Sequence, residues 1–246
     1  MLPNFLTLIG LSAGLTSIHF GLDKQWEAAV LAIAVAAFFD GLDGRIARLL
    51  EGASKFGAEL DSLSDFLCFG VAPALLLYLW TMRDGGRFGW MVAMVFPICS
   101  ALRLARFNTA PDVPDNPHWT AQFFTGVPSP AGAGMVLLPM VLSFEFGESP
   151  IHSPWVAGLF LLSVGALLVS RVPTFSFKRI KVPKGWILPT MMITGILTAF
   201  AVSAFWLTLA MILIAYMATF PVSIARHRAL AAGKTASANN ATRDDQ

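Results

Sequence analysis

Charge is what this chain has least of. Of its 246 residues, only 13% are Asp, Glu, Lys or Arg, about half the share of an average soluble domain. Seventeen basic residues nearly balance fifteen acidic ones, for a net charge of +2. No basic face of the kind that neutralises a phosphate backbone is available, so nucleic acid is not an expected partner. The two cysteines, Cys68 and Cys99, lie in apolar stretches and provide neither a disulfide framework nor zinc-ligand spacing. They read as small packing residues. His19, His118, His152 and His227 are scattered and suggest no metal pattern. No basic run precedes the apolar start and no A-x-A site follows it, so the first segment reads as a retained span and not as a cleaved signal.

Apolar surface fills the space that charge leaves. Hydrophobic residues make up 56% of the chain, with twenty Phe and seven Trp. Mean hydropathy is +0.66. A disordered chain and an ordinary soluble enzyme are both excluded. A helical span needs roughly 20 apolar residues. Eight apolar segments fall near 4–21, 26–48, 58–82, 88–108, 128–146, 154–171, 187–202 and 204–222. The expectation is an all-α, polytopic integral membrane bundle of about eight transmembrane helices, with the last two segments joined tightly at Ser203. Residues 1–228 form one transmembrane domain on this reading. Residues 229–246, rich in Ala, Asn and Thr, form a disordered cytoplasmic tail.

Placing the N-terminus in the cytoplasm puts fourteen of the seventeen Lys and Arg residues on that side, leaving Lys24, Arg83 and Arg87 outside. That is a clear positive-inside bias. The basic cluster of Arg171, Lys178, Arg179, Lys181 and Lys184 fits either topology alone or contact with anionic lipid head groups. Between 109 and 124, Pro111, Pro114, Pro117 and Trp119 mark a linker, with a flap as the other reading.

Four aspartates stand where a membrane helix should have none. The second segment runs into Asp40 and Asp43, spaced i,i+3, and the third opens with Asp61 and Asp65, spaced i,i+4. Each pair shares one helix face. An acid in or beside hydrocarbon costs about 2.5–3.5 kcal/mol on insertion scales and marks a functional site by default. If the two faces meet, the carboxylates repel one another unless a cation joins them. Oxygen-only ligands select a hard divalent ion, Mg²⁺, Mn²⁺ or Ca²⁺. Four bridging carboxylates suit two such ions, an arrangement that serves displacement at phosphorus. The same acids also fit interfacial residues paired with Arg45, Arg48 and Lys55.

Written out, the stretch over 40–65 is Asp40-x-x-Asp43-Gly44-x-x-Ala47-Arg48, then eight residues, Gly57, three residues, Asp61, three residues, Asp65. It resembles the signature of the CDP-alcohol phosphatidyltransferase family at all eight fixed positions. Chance agreement runs at roughly 10⁻¹⁰ per start position. The resemblance implies an active site across two neighbouring membrane helices, facing the cytoplasm of a bacterial-type inner membrane. It implies Asp40, Asp43, Asp61 and Asp65 as ligands of two divalent cations, Mg²⁺ or Mn²⁺, and Asp65 as candidate catalytic base. Gly44, Ala47 and Gly57 would let a CDP-linked lipid approach the backbone, and Arg48 would pair with its phosphates. Asn4 and Thr7, in Pro3-Asn4-Phe5-Leu6-Thr7, would join that CDP-diacylglycerol site, or cap the first helix. A homodimer among membrane lipids is also implied.

The acceptor alcohol must be read outside the shared motif. Leu60-Asp61-Ser62-Leu63-Ser64-Asp65 followed by Cys68-Phe69-Gly70-Val71-Ala72-Pro73 resembles the branch of the family that uses L-serine, apart from Cys68 where Ser is usual. Ala101 to Asn108 and Phe124 to Ala131 resemble the same branch, with weaker support from Ser176-Phe177-Lys178. Arg103 and Arg106 are i,i+3 at one helix end, with Asn108 beyond them. One guanidinium could clamp the serine carboxylate, and Asn108 could accept from its ammonium. Both arginines also fit positive-inside anchors. Glycerol 3-phosphate is the rival acceptor, and a cation transporter using the same acids is a rival of another class.

Overall fold

The computed structural model describes residues 2–49, 54–109, 123–125, 127–147, 151–170, 173–175 and 187–220. The tail over 229–246, its boundary at 228, the prolines and Trp119 within 111–119, and the basic residues within 171–184 lie outside the described residues.

The described chain is helical at each of the eight apolar segments. Helix α1 is Leu2–Leu22 and α2 is Trp26–Leu49. They form an antiparallel hairpin, with Lys24 at φ 60° in the turn. Next comes one helical run of 54 residues, Lys55–Asn108. Straight, it would reach about 81 Å at 1.5 Å per residue, far more than a bilayer core of about 30 Å. It therefore folds back. Its first leg is α3 (Lys55–Asp65), a π-helical stretch (Phe66–Val71), α4 (Ala72–Leu77) and a second π stretch (Tyr78–Met82). A short turn of 3₁₀ helix, Arg83–Gly85, reverses it. Gly86 makes the reversal at φ 56° and ψ −133°, a backbone state that only glycine adopts easily. The second leg is α5, Gly86–Asn108. The two legs touch closely, since a Cβ on Gly89 would stand 2.2 Å from the Met82 carbonyl oxygen.

Pro73 accounts for the first π stretch. It has no N–H to donate, and its ring would strike the carbonyl four residues back. The ladder widens before it, and Ala72 N–H donates to Leu67 O, five residues earlier.

The remaining helices are α6 (Ser129–Phe146), α7 (Pro154–Val169), α8 (Ile187–Ser203) and α9 (Phe205–Phe220). Pro3–Leu22, Lys55–Asn108 and Ser129–Phe146 are long and apolar enough to cross a membrane, and α7, α9 and Pro189–Phe200 within α8 are shorter apolar helices. The expected bundle is present, with one addition. Strand β1 (Phe123–Thr125) pairs antiparallel with β2 (Pro173–Phe175), Phe123 opposite Phe175. This small ribbon ties the start of α6 to the segment after α7.

Phe69, Phe96, Leu76, Met135, Val136 and Leu161 form part of a core buried among α2, both legs of the long run, α6 and α7. Small residues set the approach of α1. A Cβ on Gly14 would lie 2.3 Å from Cys68 Sγ, and one on Gly21 would lie 2.3 Å from Leu76 Cδ2. Such close backbone approach is how helices associate where lipid removes the hydrophobic drive between them. Cys68 is accordingly a packing residue, 1% exposed. Helix α8 leaves Met191, Met192, Ile193 and Ile196 exposed, which apolar lipid chains tolerate as water would not.

Candidate active site

Three helices build the site. The end of α2 carries Asp40 and Asp43, α3 carries Gly57, Asp61 and Asp65, and the first turns of α1 carry Asn4 and Thr7. Ser54 fixes the start of α3 by accepting from Gly57 N at 3.0 Å. This is an N-cap, worth about 1 kcal/mol.

The two acidic faces do meet. One carboxylate oxygen from each of Asp40, Asp61 and Asp65 lies within 4.8 Å of the others. Asp40 and Asp65 are within hydrogen-bonding reach of one another. Asp65 Oδ1 is buried and has no hydrogen-bond partner among the described residues. A buried orphan oxygen beside two further carboxylates is costly unless a proton or cation completes it. The residues therefore fit a hard divalent ion. The fourth acid of the motif is held differently. Asp43 is 3% exposed and accepts a 2.6 Å hydrogen bond from Thr7 Oγ1.

Beside the acids opens a cleft of about 190 Å³, lined by Pro3, Asn4, Thr7, Asp43, Gly44, Ala47, Ser54, Gly57, Ala58 and Asp61. The two glycines serve it in different ways. A Cβ on Gly57 would come within 2.9 Å of Asn4 Oδ1 and 3.1 Å of Ser54 Oγ, so this glycine lets α1 and α3 approach. A Cβ on Gly44 would meet nothing within 4 Å. Protein packing does not demand glycine there, and the bulk it spares is bulk the cleft would lose. Arg48 is on α2 one turn after Gly44, and its side chain lies outside the described residues.

The three polar residues at the end of α5 part company. Arg103 lies near enough to Asp65 for direct electrostatic attraction. Arg106 instead donates to the carbonyls at the end of α7, from Nη1 to Val169 O at 3.0 Å and from Nη2 to Ser170 O at 3.4 Å. Asn108 Nδ2 donates to Ser62 Oγ at 3.0 Å. Two contributors were not visible in sequence. Ser129, at the start of α6, accepts from Arg103 Nη1. Tyr216, on α9, lies near Arg103. Only the Phe124–Ala131 resemblance pointed near Ser129, and nothing pointed to Tyr216.

A helical membrane bundle with an acidic, oxygen-only site beside a small-residue cleft fits the class of membrane enzymes whose carboxylates could hold a divalent ion. The chain belongs to the CDP-alcohol phosphatidyltransferase family, whose profile matches residues 1–169. It is 39% identical over 231 residues to a Mycobacterium bovis protein named CDP-diacylglycerol–serine O-phosphatidyltransferase, covering 94% of this chain and 80% of that one. A Helicobacter pylori protein of the same name is 37% identical over 183 residues, 74% of each chain. An archaetidylserine synthase of Methanothermobacter thermautotrophicus is 32% identical over 173 residues, covering 70% of this chain and 68% of that one.

Proposed function

We propose that this membrane enzyme transfers the phosphatidyl group of CDP-diacylglycerol to the hydroxyl of L-serine, giving phosphatidylserine and CMP. The observation that carries the reading is the meeting of Asp40, Asp61 and Asp65 within 4.8 Å, beside the cleft lined by Gly44, Ala47 and Gly57. The names of the mycobacterial and Helicobacter relatives supply the acceptor.

In this reading the cytidine diphosphate lies along the cleft. Asn4, Thr7, Gly44, Ala47 and Gly57 form its walls, and Arg48 meets its phosphates. Asp40, Asp43, Asp61 and Asp65 form the ligand set for two divalent cations, Mg²⁺ or Mn²⁺. Such ions, when bound, neutralise diphosphate charge and stabilise the leaving CMP. Asp65 orients the serine hydroxyl and takes its proton as the oxygen attacks the phosphorus that bears the lipid. A bond forms from serine oxygen to phosphorus, the bond to the CMP oxygen breaks, and CMP leaves with that electron pair. The serine carboxylate and ammonium are met at the end of α5, near Arg103 and Asn108. The site faces the cytoplasm, in line with the positive-inside bias, and the enzyme works as a homodimer, as the family resemblance implies.

The test is CMP release by purified enzyme in detergent with CDP-diacylglycerol and Mn²⁺ or Mg²⁺, with and without L-serine. Serine-dependent release that chelator abolishes is the expected result. Release driven by glycerol 3-phosphate alone would reassign the acceptor. Metal flux in proteoliposomes without CMP release would favour the transporter reading.

A further inference from the structure

Arg103 reaches the site from the second leg of the long helical run and lies near Asp65. Among the described residues its guanidinium is held by hydrogen bonding at one corner, where Nη1 donates to Ser129 Oγ. Its Nε is buried and has no hydrogen-bond partner among the described residues. A guanidinium engages a carboxylate with two parallel bonds most readily along its Nε–Nη2 edge. Ser129 holds neither of those nitrogens. The hydroxyl of Ser129 is fixed in turn, because the residue is 2% exposed at the start of α6 between Pro128 and Pro130. Asp65 Oδ1, close by, is a second buried atom with no hydrogen-bond partner among the described residues. One acceptor able to satisfy both carries an anionic head and a hydroxyl a few bonds apart, as an α-amino acid with a hydroxyl side chain does. Arg106 has other work, since both its terminal nitrogens reach the carbonyls that end α7.

We infer that Ser129 is a positioning residue for acceptor selection: it fixes the Arg103 guanidinium so that the Nε edge, and not Arg106, receives the acceptor's carboxylate while Asp65 receives its hydroxyl. The inference rests on the serine reading above and adds a residue and a division of labour to it. Ser129 touches no substrate itself. It acts by sparing Arg103 the entropy of finding its place, since a freely rotating arginine must be ordered anew at each binding event.

The experiment measures KM for L-serine, KM for CDP-diacylglycerol and kcat by CMP release for the wild-type enzyme and for Ser129→Ala, Ser129→Cys and Ser129→Thr. Ser129→Ala is expected to raise the serine KM about tenfold, the scale of one hydrogen bond to a charged group, with the lipid KM and kcat within about twofold. Ser129→Cys, similar in size but a poor acceptor, should behave like Ala, so the result does not hinge on one variant folding. Ser129→Thr, which keeps the hydroxyl, should return the serine KM to near the wild-type value. A merely structural Ser129 would lower kcat or raise both KM values together, and Thr would not rescue it selectively; either outcome overturns the inference. Wild-type enzyme that serine fails to stimulate would overturn the acceptor reading first. Wild-type stimulation with an unchanged Ser129→Ala would overturn this inference alone.

Discussion

Thr7 and Asp43, thirty-six positions apart, are joined by a 2.6 Å hydrogen bond from Oγ1 to Oδ2. The Thr7 hydroxyl also lies 3.1 Å from Pro3 O, but it has one proton to give, and the carboxylate is the stronger acceptor. The bond pins the second turn of α1 to the last third of α2 at the wall of the cleft. It also singles out Asp43 among the four acids. Asp40, Asp61 and Asp65 face one another, whereas Asp43 is buried with a neutral partner.

Thr7→Val keeps the shape and removes the donor. It leaves Asp43 buried with one donor fewer, at a cost of about 1–3 kcal/mol. The expected outcome is a lowered Tm in detergent and a raised KM for CDP-diacylglycerol, with the serine KM little changed. Thr7→Ser should recover most of both. A Val variant with wild-type lipid KM would show that this bond does not shape the cleft.

Gly44→Ala tests what the cleft is for. The added methyl meets no protein atom within 4 Å, so Tm should stay within about a degree or rise, because alanine suits a helix better than glycine by roughly 1 kcal/mol. The same methyl projects where a ligand would lie. An increase of about tenfold in the lipid KM is expected, read by CMP release at saturating serine. A stable Gly44→Ala enzyme with unchanged lipid KM would remove the nucleotide from this wall.

Asp61→Asn removes one carboxylate from the three that meet, with almost no change in volume. Turnover should fall at least a hundredfold while the protein still inserts and elutes as the wild type does. Mn²⁺ binding, followed by the spectrum of the free ion, should weaken in parallel. Robust turnover in this variant would refute the metal role of Asp61.

Much of this site was legible because membrane sequence makes polar residues conspicuous. Asp40, Asp43, Asp61 and Asp65 stand out against apolar neighbours, and helical spacing alone puts each pair on one face. Gly44 and Gly57 followed from the motif, but not the difference between them. Only the placement of Asn4 and Ser54 shows that Gly57 is a packing glycine as well. Ser129 and Tyr216 escaped notice because a lone hydroxyl in an apolar helix has no pattern; its meaning lies in what the fold brings opposite it. The π stretch after Asp65 has a visible cause in Pro73, yet proline inside a membrane helix has several local solutions. The β1–β2 ribbon joins segments about fifty residues apart, and three-residue strands leave no periodicity to read.

The arginine pair at the end of α5 gives the last test. Spacing puts Arg103 and Arg106 together as candidate acceptor ligands, one of which could clamp the carboxylate. In the fold, Arg106 reaches Val169 O and Ser170 O, where helix α7 runs out of internal donors for its last carbonyls. A cation there also opposes the negative end of the helix dipole. Arg106→Ala should therefore lower Tm, by an amount matching about 1–2 kcal/mol, through loosened docking of α7 on α5. The serine KM should change by less than about threefold. Arg106→Lys can reach one carbonyl but not fork across two, so it should recover only part of the loss. The comparison is a detergent melting curve set beside serine and lipid KM values for both variants. A large rise in the serine KM with unaltered Tm would return Arg106 to the acceptor site and leave its contacts with α7 as incidental.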